Sequence, residues 1–132
     1  GSAMYSWLQN TLLKQLPSDL QAVLKSVNKK TSKGSASSTI NTNAMKLFLF
    51  SEIEIFGTTT YSASGEGAQY PYFATAGNRI KHLANGTGSA KWWWERSPYA
   101  SDSPNFCGVA SGGNAGSNRA SNSGGVCFGF CV

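Results

Sequence analysis

Trp92-Trp93-Trp94-Glu95-Arg96-Ser97-Pro98 opens the last third of the chain, and Gly125-Val126-Cys127-Phe128-Gly129-Phe130-Cys131-Val132 closes it. Both are short runs of bulky apolar residues with strand character. Successive strand side chains point to opposite faces, so at least one of the three tryptophans must enter a core, with Trp93 expected to differ from its neighbours. Residues 99–124 between the two runs are dominated by Ser, Gly and Asn. Composition alone would make this segment a flexible linker. Its position argues otherwise, because core-forming sequence tethers both ends, Phe106 and Val109 anchor the middle, and residues 105–110 can form a strand. Ordered turns mounted on strands are expected.

Upstream, Met4, Trp7, Leu8, Thr11 and Leu12 follow helical spacing until Pro17. Ser18 with Gln21 has the form of a capping box opening a second helix, whose apolar stripe is Leu20, Val23, Leu24 and Val27. Residues 28–46 are polar, with a turn at Gly34 and a short strand near Thr39–Thr42. Leu47-Phe48-Leu49-Phe50 reads as a buried strand feeding a helix at 52–56, capped by Ser51 with Glu54 and ended by Gly57. From 58 to 88 the chain is punctuated by glycine and carries Tyr61, Tyr70, Tyr72 and Phe73; Arg79–Leu83 is a possible strand. Asn85-Gly86 is a turn pair suited to a hairpin, and the Asn85-Gly86-Thr87 sequon means only a turn.

The 132 residues suit one domain, taken as 4–132 with Gly1-Ser2 as a cloning remnant. Fifteen Gly and only 13% charged residues, with 4 Trp, 5 Tyr and 7 Phe, point to an irregular α+β fold pinned by aromatics. Two N-terminal helices should pack on a small antiparallel sheet with long loops. The net charge of +5 comes from scattered bases. Lys29, Lys30 and Lys33 form the one short cluster and read as a solvated turn, so no nucleic-acid partner is expected. No run suits a membrane span.

Cys107, Cys127 and Cys131 are odd in number. In one strand, Cys127 and Cys131 would lie roughly 13 Å apart, too far to bond. Cys107 could meet one of them; buried thiols acting as small apolar groups are the simpler expectation. No spacing suits zinc, and neither metal nor cofactor is expected. His82 reads as a surface histidine, and Glu95-Arg96 as a framework pair, since strand neighbours do not face each other.

Taken together, the Trp92–Pro98 run, Phe106-Cys107-x-Val109, Gly112-Gly113, Ala120-Ser121 and the closing Gly125–Phe130 run resemble a domain common in gut bacterial phage and prophage proteins. Leu16–Gln21 and Lys46–Gly57 carry the same resemblance, which spans nearly the whole chain from Trp7. That domain is similar to the variable proteins of diversity-generating retroelements, which have a C-type-lectin-like fold. The resemblance implies a scaffold of Trp92, Trp93, Trp94, Phe106, Val126, Phe128 and Phe130 presenting a diversified, solvent-facing surface. Its candidate ligand-binding residues are Tyr99, Ser101, Asp102, Ser103, Asn105, Cys107, Gly108, Ala110 and Ser111, continued by Asn114, Gly116, Ser117, Asn118 and Asn122. The implied activity is recognition of a protein or glycan on a virion or bacterial surface, by a binding module rather than an enzyme. Weak binding per copy would favour multivalent display or a homo-oligomer. Calcium-dependent sugar binding is not expected, because Asp102 has no acidic neighbours. Two rival readings are a structural or decoration domain of a virion and, through Cys127 and Cys131, a formylglycine-generating-type oxidase.

Overall fold

A computed structural model describes residues 2–101 and 104–132, which form a mixed α+β arrangement. The N-terminal helix runs through Ala3–Ser6, a π-wound segment Trp7–Leu12, and Leu13–Gln15. Ser2 caps it, its Oγ accepting from the Tyr5 amide at 3.1 Å. The wide π turns rotate the apolar face: Leu8 is buried and Leu12, Leu13 and Leu16 pack on the core, while Trp7 and Thr11 face water. The second helix, Ser18–Val23, is shorter than its expected stripe. Ser18 makes no cap there. Gln21 instead donates from Nε2 to the Leu16 carbonyl at 2.6 Å, satisfying a group freed at the first helix's end.

The polar stretch after it is not a solvated turn. β1 (Val27–Ser32) and β2 (Ile40–Met45) form a regular antiparallel hairpin. Gly34 turns it at φ +70, a left-handed backbone where a Cβ would also lie 2.7 Å from the Pro98 Cβ. Lys29, expected in water, is buried. β3 (Phe48–Leu49) leads into the helix Glu52–Phe56, whose capping box at Ser51 and Glu54 and left-handed Gly57 follow the sequence reading. Residues 79–83 are not a strand. Ala76–Arg79 is a tight 3₁₀ turn, and Lys81 alone bridges, to Lys91.

β4 (Trp93–Pro98) pairs antiparallel with β5 (Asn105–Val109), which pairs antiparallel with β6 (Ala115–Arg119). On its other side β4 runs parallel to β7 (Gly125–Val126), giving the order β6-β5-β4-β7. The closing run is therefore two strands, since after Cys127 the chain changes partner and β8 (Phe128–Gly129) pairs with β3. Phe130, expected as scaffold, is 42% exposed.

The tryptophan run divides the core. Trp94 joins Leu8, Leu24, Leu47 and Leu49 beneath the N-terminal helix, with Trp92 packed against that cluster. Trp93 joins Ile55, Phe73 and Val109 on the opposite side. This is strand alternation expressed as two clusters, and Trp93 is the residue that differs.

Candidate functional site

Strand alternation on β5 decides which candidate residues reach a ligand. Cys107 and Val109 turn inward and are fully buried. Cys107 is thus a correction to the predicted surface: its Sγ lies 3.7 Å from the Pro98 carbonyl, and burial, reinforced by the Glu95 carboxyl, pushes its thiol far above the usual range. Gly108, on the other face, is also buried, with a would-be Cβ 2.9 Å from the Trp93 carbonyl oxygen. It contributes backbone only.

Around that outward face the β5–β6 hairpin forms a hollow of about 300 Å³. Its walls are Trp92, Gly108, Val109, Ala110, Ser111, Gly116, Ser117 and Asn118. Six of the predicted residues meet there, with Trp92, which sequence reasoning had assigned to the scaffold. Glycines create the space. At Gly124 a Cβ would fall 2.4 Å from the Trp92 ring, so only a bare backbone lets that ring lie flat. Trp92 in turn meets Trp94 edge-on, with centroids 4.7 Å apart.

The remaining candidates are dispersed. Asn114 accepts the Ala110 amide through its carbonyl at 2.8 Å, closing the hairpin turn. Asn122 is exposed and donates from Nδ2 to the Asn118 Oδ1 at 3.3 Å. Tyr99 packs on Tyr61, with centroids 5.5 Å apart, and is half-buried; Ser101 is exposed. Asn105 is half-buried at the start of β5. Asp102 and Ser103 lie outside the described residues.

A second, larger cleft of about 870 Å³ lies between the N-terminal helix, the β1–β2 hairpin and β4. Leu8, Met45, Leu49, Trp94 and Phe106 give it apolar walls, and Lys33, Asn41 and Asn43 contribute polar ones.

Beside the larger cleft, which Glu95 and Arg96 help to line, lies a buried knot of charge that the sequence did not announce. Glu54 is paired with Lys29 and Arg96 at once. Arg96 also donates to the carbonyls of Leu49 and Glu66, both at 2.8 Å, and of Lys30 at 3.0 Å. Burial alone would raise the Glu54 pKa, but the Arg96 and Lys29 cations outweigh it and hold the carboxyl below its usual range. Glu52 accepts from the Ser62 amide and hydroxyl, both at 2.7 Å, and from the Tyr61 amide at 3.1 Å. Glu66 accepts from the Ser32 amide at 2.6 Å and from the Ser97 hydroxyl, yet burial leaves its pKa raised. These contacts staple residues 61–66 and β1 to the bulge in β4. Glu95 differs: both carboxyl oxygens are buried without a hydrogen-bond partner among the described residues. Burial, then the nearby Glu52 and Glu66 charges, push its pKa well up. Arg96 therefore pairs with Glu54, not with its neighbour Glu95.

The other singled-out groups are peripheral. His82 is exposed, its Nδ1 3.3 Å from the Gly88 carbonyl oxygen. All three cysteines are free; Cys127 is half-buried with a raised pKa from burial, and Cys131 is exposed, against the expectation of buried thiols. Among the described residues no group of His, Cys, Asp and Glu is placed to hold a metal, and no helix is long and apolar enough to cross a membrane.

No curated protein and no solved structure matches this chain. A family model does, over residues 1–132, and on that match the chain belongs to the family described as Domain of unknown function (DUF6273).

Proposed function

We propose that this chain is a ligand-binding module of C-type-lectin-like fold that presents the β5–β6 hairpin to a protein or glycan on a bacterial or virion surface. In this reading it is a phage- or prophage-type variable protein of a diversity-generating retroelement, a binder without catalytic activity. One observation carries the reading: Ala110, Ser111, Gly116, Ser117 and Asn118 converge with Gly108 and Trp92 around one hollow. Short polar and small side chains, with few bonds to the framework among the described residues, sit on a base whose aromatics pack in two cores. Such a base holds binding groups in place while the residues above it change. The carboxylates, by contrast, are committed inside the framework, where Glu52, Glu54 and Glu66 tie loops together.

The test is binding of the labelled chain to whole bacterial cells and to immobilised bacterial envelope glycans. Gly116→Trp, which lies opposite Gly108 on the same face and fills the hollow, should abolish the interaction while leaving the melting transition in place. Binding that survives this substitution undiversified would remove the hairpin from consideration. A second readout is the flanking DNA, expected to hold a reverse-transcriptase gene and a near-duplicate repeat differing at adenine positions. Absence of both would sink the retroelement assignment.

A further inference from the structure

One edge of the four-stranded sheet is left open. Two bonds fix the phase of the β5–β6 ladder: the Ala110 amide donates to the Asn114 carbonyl at 2.8 Å, and the Ala120 amide to the Pro104 carbonyl at 3.0 Å. The register runs unbroken between them, so Gly108 bonds with Gly116 and Phe106 with Asn118. The amides and carbonyls of Ala115, Ser117 and Arg119 therefore point away from β5. The Arg119 carbonyl accepts the Asn122 amide at 2.9 Å. The outward amides and carbonyls of Ala115 and Ser117 meet no partner among the described residues.

Sheet edges are ordinarily shielded by proline, by a bulge, by charge along the strand or by a covering element. The opposite edge of this sheet, β7, is only two residues long, and the chain leaves it at once for β8. β6 has no such protection. Ala115-Gly116-Ser117-Asn118-Arg119 holds no proline, pairs without a bulge and keeps its single charge at the last position. Gly116 leaves room for another backbone to come close. Outward donors and acceptors recur roughly every 7 Å along this edge, a spacing that a second extended polypeptide matches.

We infer that β6 pairs antiparallel with β6 of a second copy, about a two-fold axis through Ser117, joining the two sheets into one. In this register every outward group of the strand is met: Ser117 faces its own counterpart, and Ala115 faces Arg119. A slip of one residue would set outward groups against inward ones, and a slip of two would leave the strand ends unmatched. Charge favours the same arrangement. The two arginines stand at opposite ends of the ladder, roughly 14 Å apart along it, beyond the reach of charge in physiological salt. A parallel pairing would set them side by side. The consequence reaches the hollow. Directly opposed residues share a face, so Gly116 is met by the second copy's Asn118 on the face where the hollow opens. The wall that Gly116 leaves bare is thus completed by the other copy, and two hollows lie next to each other across the axis. The pairing itself does not depend on the hollow being a ligand surface; the shared wall rests on that reading. Main-chain bonds survive replacement of the side chains around them, and β7 is too short to pair onward, so association stops at the dimer.

A ladder of five residues buries less than the about 800 Å² per partner of a standard interface, so the dimer belongs in the micromolar to millimolar range. Sedimentation equilibrium of the whole chain over that range should show monomer and dimer in exchange. The dimer should gain as salt rises from low to physiological, because salt screens the +5 charge on each copy. Ser117→Pro removes an outward amide without touching a β5 bond, and should weaken association about tenfold or more. Ser117→Ala should change it little. Ser117→Lys and Ser117→Glu each oppose like charges across the axis and should be monomeric, whereas an equal mixture of the two should dimerise again. A chain that stays monomeric throughout, or a mixture no better than either variant alone, would overturn the inference. So would a folded Ser117→Pro chain that pairs as tightly as wild type; if that variant does not fold, the mixture decides. Two outcomes separate this inference from the reading of the hollow. If the mixture dimerises and Gly116→Trp leaves cell binding intact, the pairing stands and the ligand surface falls. If Gly116→Trp abolishes cell binding and the wild-type chain is monomeric, the ligand surface stands and the pairing falls.

Discussion

Two antiparallel hairpins of similar length are put to opposite uses. β1–β2 sends Lys29 and the Ser32 amide inward to Glu54 and Glu66, and Arg96 grips its backbone at the Lys30 carbonyl. β5–β6 sends Cys107 and Val109 inward and packs the Phe106 ring on the core, and leaves the Gly, Ala, Ser and Asn side chains around the hollow with few commitments among the described residues. The first hairpin is bound by specific charges and tolerates little change. The second is held by backbone ladders and by the Trp92 and Phe106 rings, so its outer residues are replaceable. Order without side-chain commitment is what a variable surface requires.

The largest expected effect strikes the committed hairpin. Arg96→Ala leaves Glu54 with a single buried cation and frees three carbonyls, and should lower stability by about 3–5 kcal/mol in urea denaturation. Gly124→Ala forces a methyl into the Trp92 ring and should cost about 1–3 kcal/mol, with a changed near-ultraviolet dichroism as the ring tilts. If stability and spectrum are both unmoved, the hollow's floor is softer than the contact implies.

A pH series isolates Glu95. Its folded pKa lies above its unfolded value, so the native state binds the extra proton, and stability declines as pH climbs from the ordinary carboxyl range through the raised value. Glu95→Gln should remove that decline and be increasingly more stable than wild type toward neutral pH. Glu54 has the opposite sign: its contribution is present above the usual carboxyl pKa and fades as pH falls through the lowered one. A flat difference between Glu95→Gln and wild type across pH would mean that this carboxyl finds a donor in solution. The smallest effects belong to Ser111→Ala and Asn118→Ala, expected to move stability by less than about 0.5 kcal/mol. Lys29→Ala, on the other hairpin, should cost several times more; matching losses would erase the contrast.

Local signals in the sequence were legible in part, for the Ser18 capping box does not form and residues 79–83 are not a strand. Ser51, Glu54 and Gly57 specify their helix within one turn, and three consecutive tryptophans leave strand alternation little choice. Six of the hollow's lining residues were legible because they lie close together in the chain. What escaped was long-range. Lys29 finds Glu54 twenty-five residues on, and Arg96 reaches back forty-two to the same carboxylate, separations that no periodicity encodes. β1 and β2 carry no alternation of apolar residues because buried charge stands where a hydrophobe would. The closing run seemed one strand since nothing local marks Cys127 as the point where the chain changes neighbours. Trp92 was taken for ballast because a residue cannot announce from sequence that glycine will leave its flank open.

The ladder joining Phe48–Leu49 to Phe128–Gly129 has a bearing on how the molecule is made. Ribosomal synthesis delivers β3 long before its mate, so the apolar cluster around Leu47 and Leu49 must wait, unroofed, while the β5–β6 hairpin is still being polymerised. Pairings so distant in the chain close late and slowly. Any product that terminates ahead of Phe128 should therefore be short-lived in the cell, and that requirement acts as a proofreading step, because only chains translated in frame through the β5–β6 hairpin acquire the strand that seals them.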